Sequence, residues 1–324
     1  MTIRIRPLVA AIAVFVVAGA TLGAANPAVA ATAPSIPGCV GAQALDPASP
    51  AECMLQETYA GLVPVKGVAT TTVTIAESRK CRVPSTAGGV KMCVFGVASP
   101  KNLKIAVVGD SHAEQWIPAI DAVADREKWR VETFLKGGCP FSTVMRTGLS
   151  KSVRDKCKSW NLAVVRKLAA GKFDVIITTH ASGRPFATRG TETSIEAETR
   201  GVTERWASVA RSSKATIVAI RDSPVLAVNP HSCLNALGSA VFARSFACTS
   251  TREVALRPDA SSRAAEGTQR PVIDLSNWFC DASRCFGMVG AVRVYRDASH
   301  MSGLYSKTLA PYMEAEIRDA LVGL

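Results

Sequence analysis

Aromatic residues make up only 6% of this sequence, and histidine occurs four times in 324 residues. The basic residues are scattered, without the interleaved aromatics that a nucleic-acid groove uses for stacking, so no nucleic-acid partner is expected. No two cysteines show the two-residue spacing of a zinc knuckle, and with so few histidines no metal site is expected. Beyond residue 30 no apolar run approaches the roughly 20 residues that cross a bilayer. Acid is also short: 26 Asp and Glu stand against 38 Lys and Arg, for a net charge of +12. Such an excess favours contact with anionic envelope polymers or lipid headgroups, and equally describes a solvated basic surface.

What is present begins with a targeting pattern. Arg4 and Arg6 precede an apolar run from Leu8 to about Ala25, and Ala28-Val29-Ala30 follows as a small-residue cleavage site. These features predict a secretory signal peptide over residues 1–30, cut after Ala30, and a secreted or cell-envelope location. The run is nearly long enough to span a bilayer, so an uncleaved N-terminal membrane anchor is the alternative. Cleavage would remove two arginines and no acid, leaving +10. Ten cysteines follow, an even count that reads as disulfides in an exported chain. Spacing leaves the connectivity open. Nearest-neighbour pairing is the working expectation: Cys39–Cys53, Cys81–Cys93, Cys139–Cys157, Cys233–Cys248 and Cys280–Cys285.

Residues 31–100 are rich in Ala, Pro, Thr and Val and show no sustained period. They read as a loop-rich extension, stapled by two bridges and lying on the main domain rather than folding alone. From residue 101 to 324 the pattern changes. Strand-length apolar runs occur at Ile105–Val108, Val131–Leu135, Val175–Thr178, Ala215–Ile220 and Val272–Leu275. Helical patterns alternate with them over His112–Lys128, Arg154–Ala170, Glu192–Arg211 and Tyr305–Leu324. This alternation predicts an α/β fold, a three-layer α/β/α sandwich around a mostly parallel sheet. In such sheets the functional crevice lies beyond the carboxyl ends of the strands. Ser111 follows the first of these strands directly, in "KIAVVGDSHAEQW".

A serine hydroxyl is a weak nucleophile without a base in reach and a third group to orient that base. His112 is adjacent and its side chain is expected to point elsewhere. His180 follows the third strand, and His231 lies between cysteines. His300, in "VYRDASHMSG", is the best base, because Asp297 three residues earlier can hold its imidazole. The bland reading of that loop is a helix cap beside a surface histidine. Asp110 is expected to organise the turn after the strand, and Trp116 and Trp160 to pack. Arg221 and Asp222 read as pocket-lining residues or as a structural ion pair.

Gly-Asp-Ser after the first strand together with Asp-x-x-His before the last helix resembles the SGNH hydrolase superfamily. The segments "VVGDSHAEQWIPAI", "KGGCP", Cys-x-x-Trp at 157–160, "IRDSP" at 220–224, the Cys233/Cys248 pair and "DLSNWFCDASRC…VYRDASHMS" resemble one branch of it. That branch is the SGNH domain fused to membrane O-acyltransferases of the acyltransferase-three type, and the similarity covers roughly residues 80–324. The resemblance implies an SGNH or flavodoxin-like sheet and no cofactor. It implies Ser111 as nucleophile, His300 as base and Asp297 as orienter. It further implies an oxyanion hole from the N–H groups of Ser111 and of Gly137 or Gly138. The family also places an Asn after the third strand. Here that place reads "THASG", so His180 or Ser182 would have to substitute, or the hole has two donors.

The implied function is an exported O-acyl esterase or O-acyltransferase acting on a cell-envelope glycan or glycolipid through an acyl-enzyme. A separate membrane acyltransferase would be a partner in trans. The alternatives are a catalytically weak or inactive glycan-binding module, and a structural envelope protein.

Overall fold

The computed structural model describes residues 39–50, 53, 75–99, 102–238 and 245–322. All of these fall in one compact unit, Ala33–Leu324. The expected signal peptide and its cleavage point after Ala30 lie outside the described residues. Among the described residues, no helix is long and apolar enough to cross a membrane.

Parallel strands covered on both faces should read as continuous apolar runs, and those runs build the sheet. Its strands are β1 (Arg82–Val83), β2 (Met92–Gly96), β3 (Lys104–Gly109), β4 (Arg130–Lys136), β5 (Val175–Thr179) and β6 (Thr216–Ile220); β7 (Thr249–Thr251) stands apart, and β8 (Val272–Ile273) closes the far edge. The order is β1-β4-β3-β5-β6-β8, with β2 also on β4. All pairings within this sheet are parallel except β2 with β4. Register is set at the centre, where Ile105 stands beside Val131 on one side and Val175 on the other.

Alternate residues of each strand face opposite layers. Ile105 and Val107 belong to one core, with Trp116, Ile120, Leu309 and Met313. Ala106 and Val108 belong to the other, with Trp160, Val164, Val202 and Trp206. One helical layer is therefore α1 (Ser111–Glu114), α2 (Ile117–Glu127) and, from the chain's end, a helical pair; the other is α3 (Lys151–Gly171), α4 (Ser194–Ala210) and α5 (Ala260–Gly267). The terminal pair is α6 (Gly303–Thr308) and α7 (Ala310–Ala320). The result is the three-layer α/β/α sandwich.

Two expected helices are each broken in two. Pro118 lies in the first turn of α2 and Pro311 in the first turn of α7. Proline lacks the N–H that would continue an upstream helix, and its ring fits a first turn instead.

The boundary at residue 100 is corrected. The stretch expected as loops supplies β1 and β2, which share the outer edge of β4. These strands are short, and Cys81, just before β1, is joined by a disulfide to Cys93 within β2. Upstream, the helical turn Gly41–Leu45 rests on the domain: Gly41 N–H donates to Gly290 O at 3.0 Å and Ala42 N–H to Thr308 Oγ1 at 3.0 Å. The disulfides join Cys39–Cys53, Cys81–Cys93, Cys139–Cys157, Cys233–Cys248 and Cys280–Cys285, the nearest-neighbour set. Two short ribbons, β7 with β9 (Arg284–Phe286) and β10 (Met288–Val289) with β11 (Val292–Arg293), lead into the loop that carries His300.

Candidate active site

The chain leaves β3 for β4 on one side and later returns to place β5 on the other. The ends of β3 and β5 therefore form a topological switch point, where a crevice opens. Gly109 ends β3, and a Cβ there would collide with the carbonyl oxygen of Thr179 at the end of β5. Asp110 caps α1: its carboxylate accepts from His112 N–H at 2.9 Å. It also accepts from Ala181 N–H at 3.2 and 3.3 Å, tying the loop after β5 to the turn after β3. Asp110 thus organises the turn, and Ser111, the first residue of α1, is presented at the edge.

The His300 loop comes from the other end of the chain. It is closed by a Tyr295–Met301 bridge and by Arg296 N–H donating to His300 O at 3.0 Å. Asp297 Oδ1 accepts from the amides of Ser299 at 2.9 Å and His300 at 2.8 Å. His300 Nδ1 lies 2.8 Å from Asp297 Oδ2, and His300 Nε2 lies 2.8 Å from Ser111 Oγ. Burial works to raise the Asp297 carboxyl, but the His300 ring and the two amides hold it well below the usual carboxylate range. A hydroxyl, an imidazole and a carboxylate thus stand in one hydrogen-bonded line. Such a line can draw a proton from the hydroxyl onto Nε2 while Nδ1–H stays donated to the carboxylate.

Residues that the sequence did not single out hold this line in place. Gln115 Oε1 accepts from Met301 N–H at 2.8 Å, while its Nε2 donates to Ser223 Oγ at 3.0 Å. Tyr295 donates its hydroxyl to Pro224 O at 2.6 Å. Asp222 binds three strand ends together. It meets His112 Nδ1 at 2.7 Å and accepts from Ser182 N–H and Oγ–H at 2.8 and 2.9 Å. Burial opposes both charges of this pair. Each partner's charge and their hydrogen bond nonetheless hold the His112 ring above, and the Asp222 carboxyl below, its ordinary value. The expected Arg221–Asp222 ion pair is not formed: Arg221 reaches Asp274 at 3.9 Å instead. The His112 ring centre is 5.0 Å from that of His300. Trp116 packs edge-on against Phe279, and Trp160 against Phe141, in the two cores.

Two oxyanion candidates are corrected. Gly137 N–H donates to Val83 O at 2.9 Å, because β1 continues the sheet there, so it is not available to a ligand. Both ring nitrogens of His180 are engaged by other residues. Its Nε2 meets Glu198 Oε1 at 2.8 Å, and its Nδ1 lies 3.4 Å from Ser261 Oγ. Burial alone would lower this ring, but Glu198, then Asp110 and Asp259, push it up to about 9. Ser182 is occupied by Asp222. Gly138, with φ +60°, keeps an N–H that no described residue accepts, as does Ser111 at the start of its helix. The Cys139–Cys157 disulfide and Asn161 fix the loop that follows Gly138: Asn161 Oδ1 accepts from Ser142 N–H at 3.1 Å and its Nδ2 donates to Pro140 O at 3.1 Å.

Comparison with known proteins bears on the family and the fold. The family model described as "SGNH domain (fused to AT3 domains)" matches residues 80–315. No curated protein matches the sequence. Among solved structures, the periplasmic domain of a lipopolysaccharide acetyltransferase from Salmonella ser. Paratyphi A is similar, at 16% identity and a TM-score of 0.51. The alignment covers 78% of this chain and 92% of that one, and at this identity it speaks for the fold.

Proposed function

The chain belongs to the family of SGNH domains of the kind fused to AT3 domains, and on that footing we propose that it is an exported serine-dependent O-acyl esterase or O-acyltransferase acting on a cell-envelope glycan or glycolipid. The observation that carries the proposal is the 2.8 Å approach of Ser111 Oγ to His300 Nε2, between residues 189 positions apart. Ser111 Oγ attacks the acyl carbonyl as its proton passes to His300 Nε2. Asp297 steadies the imidazolium. The N–H groups of Ser111 and Gly138 stabilise the oxyanion, each worth about 3 kcal/mol of barrier. The tetrahedral intermediate collapses, His300 returns the proton to the leaving sugar oxygen, and the acyl group stays on Ser111. Water or an acceptor hydroxyl, deprotonated by His300, then releases it. Five disulfides support an oxidising, extracytoplasmic setting. A signal peptide cut after Ala30 would deliver the chain there, and a membrane acyltransferase acting in trans would be one source of the acyl group.

The test is turnover of p-nitrophenyl acetate and O-acetylated sugars by wild type and Ser111→Ala. Loss of turnover in the variant is expected, and equal rates would refute the proposal. One observation favours the second reading, a glycan-binding module without turnover: in the loop after β5, where the family has its Asn, His180 is committed to Glu198 and the Ser182 hydroxyl to Asp222. Saturable binding of an acylated glycan with no wild-type turnover would select that reading.

A further inference from the structure

The loops after β4 and β5 are joined beyond the candidate active site. Arg146 and Phe186 form an antiparallel bridge, Thr147 N–H donates to Pro185 O at 3.0 Å, and Ala187 N–H to Met145 O at 3.2 Å. Against α3 and α4 these loops enclose a cleft of about 440 Å³. Its lining carries Arg146, Arg154, Lys158, Arg189 and Arg200, and no acid.

Arg200 is neutralised by Glu192 at 2.8 Å and Glu204 at 3.4 Å, neither of which lines the cleft. The other four cations form no ion pair among the described residues. Arg146 also buries its Nε without a hydrogen-bond partner. A buried donor left unpaired is costly, and an oxyanion is the ligand that best satisfies a cluster of guanidinium and ammonium groups. Arg146 joins the cleft to the reaction site, since its Nη1 lies 3.4 Å from the position a Cβ on Gly138 would take.

We propose that this cleft binds an anionic group, phosphate or carboxylate, carried by the acylated glycan, and so selects an acidic envelope polymer over a neutral one. The substrate part of this proposal rests on the acyl-ester reading of Ser111; the anion site itself does not. Charge complementarity of this kind sets which polymer is retained near the serine and how fast it arrives.

Calorimetric titration of the purified protein at low ionic strength tests it, with inorganic phosphate and glucuronate as probes and glucose as the neutral control. Saturable binding of at least one anion, and none of glucose, is expected; which anion binds separates the two sources. The exposed pair Lys158→Ala/Arg189→Ala should weaken that binding at least tenfold. Arg166→Ala/Lys167→Ala, which removes the same two charges elsewhere on α3, should not. Binding should persist in Ser111→Ala, so an unaffected turnover in that variant would overturn the esterase reading and leave the anion site standing. No anion binding by wild type, or equal binding by wild type and the double variant, would overturn the proposal.

Discussion

As the proposed nucleophile, Ser111 is only as reactive as His300 makes it, and His300 is only as well aimed as its neighbours allow. Under the proposed mechanism, Ser111→Ala and His300→Ala should each lower kcat/KM on an acyl ester at least 10³-fold, measured on p-nitrophenyl acetate. Asp297→Asn should cost roughly 10²- to 10⁴-fold, because the wrong imidazole tautomer is then favoured. Gln115→Ala removes the acceptor of Met301 N–H. Its expected signature is kcat reduced roughly 10- to 100-fold with KM little changed, the mark of a misplaced base rather than lost binding. The serine, the aspartate and the histidine were legible in the sequence because each sits in a short local motif. Gln115 was not, since nothing local marks a glutamine whose partners, Ser223 and Met301, are more than a hundred residues away. The choice between Gly137 and Gly138 was equally hidden. It depends on β1, a two-residue strand too short to show a period. The engagement of His180 was hidden because its partner, Glu198, lies a loop and a helical turn further on.

Elements are tied together where their ends meet. Asp222 links the ends of β3, β5 and β6 through His112 and Ser182, with every group buried. Asp222→Ala should cost about 3–5 kcal/mol in denaturant unfolding, because it removes the acceptor shared by the buried His112 ring and by the Ser182 N–H and Oγ–H. The loop after β4 depends on the Cys139–Cys157 bridge, which spans 18 residues. Replacing both cysteines by serine should cost about 3 kcal/mol of stability by chain entropy. It should also lower esterase kcat, since Gly138 is anchored through the same loop. The strands β3 to β6 and the edge strand β8 were visible as apolar runs and the main helices as stripes. The helix breaks at Pro118 and Pro311 were also written in the sequence, yet a continuous stripe on either side masked them. The ribbons β7–β9 and β10–β11 carry no comparable signal, being two or three residues long and fixed by tertiary contact.

Across the whole molecule, charge state links stability to pH. The His180 ring is pushed up to about 9 by Glu198, above its unfolded value near 6.5. Its contribution is therefore complete below about pH 6.5 and is lost as pH rises through about 9, at most about 3 kcal/mol. Urea unfolding followed from pH 6 to 10 should show that decline, and Glu198→Gln should flatten it. The Asp297 carboxylate, held low, keeps its charge through this window and adds nothing to the slope. The sandwich was legible in advance as a whole, but its N-terminal limit was not, because the residues before Lys104 join the sheet through short edge strands. The proposed function converges on one atom, Ser111 Oγ. The most direct measurement is peptide mass spectrometry after brief exposure to an activated acetyl ester with acid quench. An acetyl group on Ser111 in wild type, absent in Ser111→Ala and strongly reduced in His300→Ala, is the predicted result. An acetyl group on another residue, or turnover that persists in Ser111→Ala, would contradict the account.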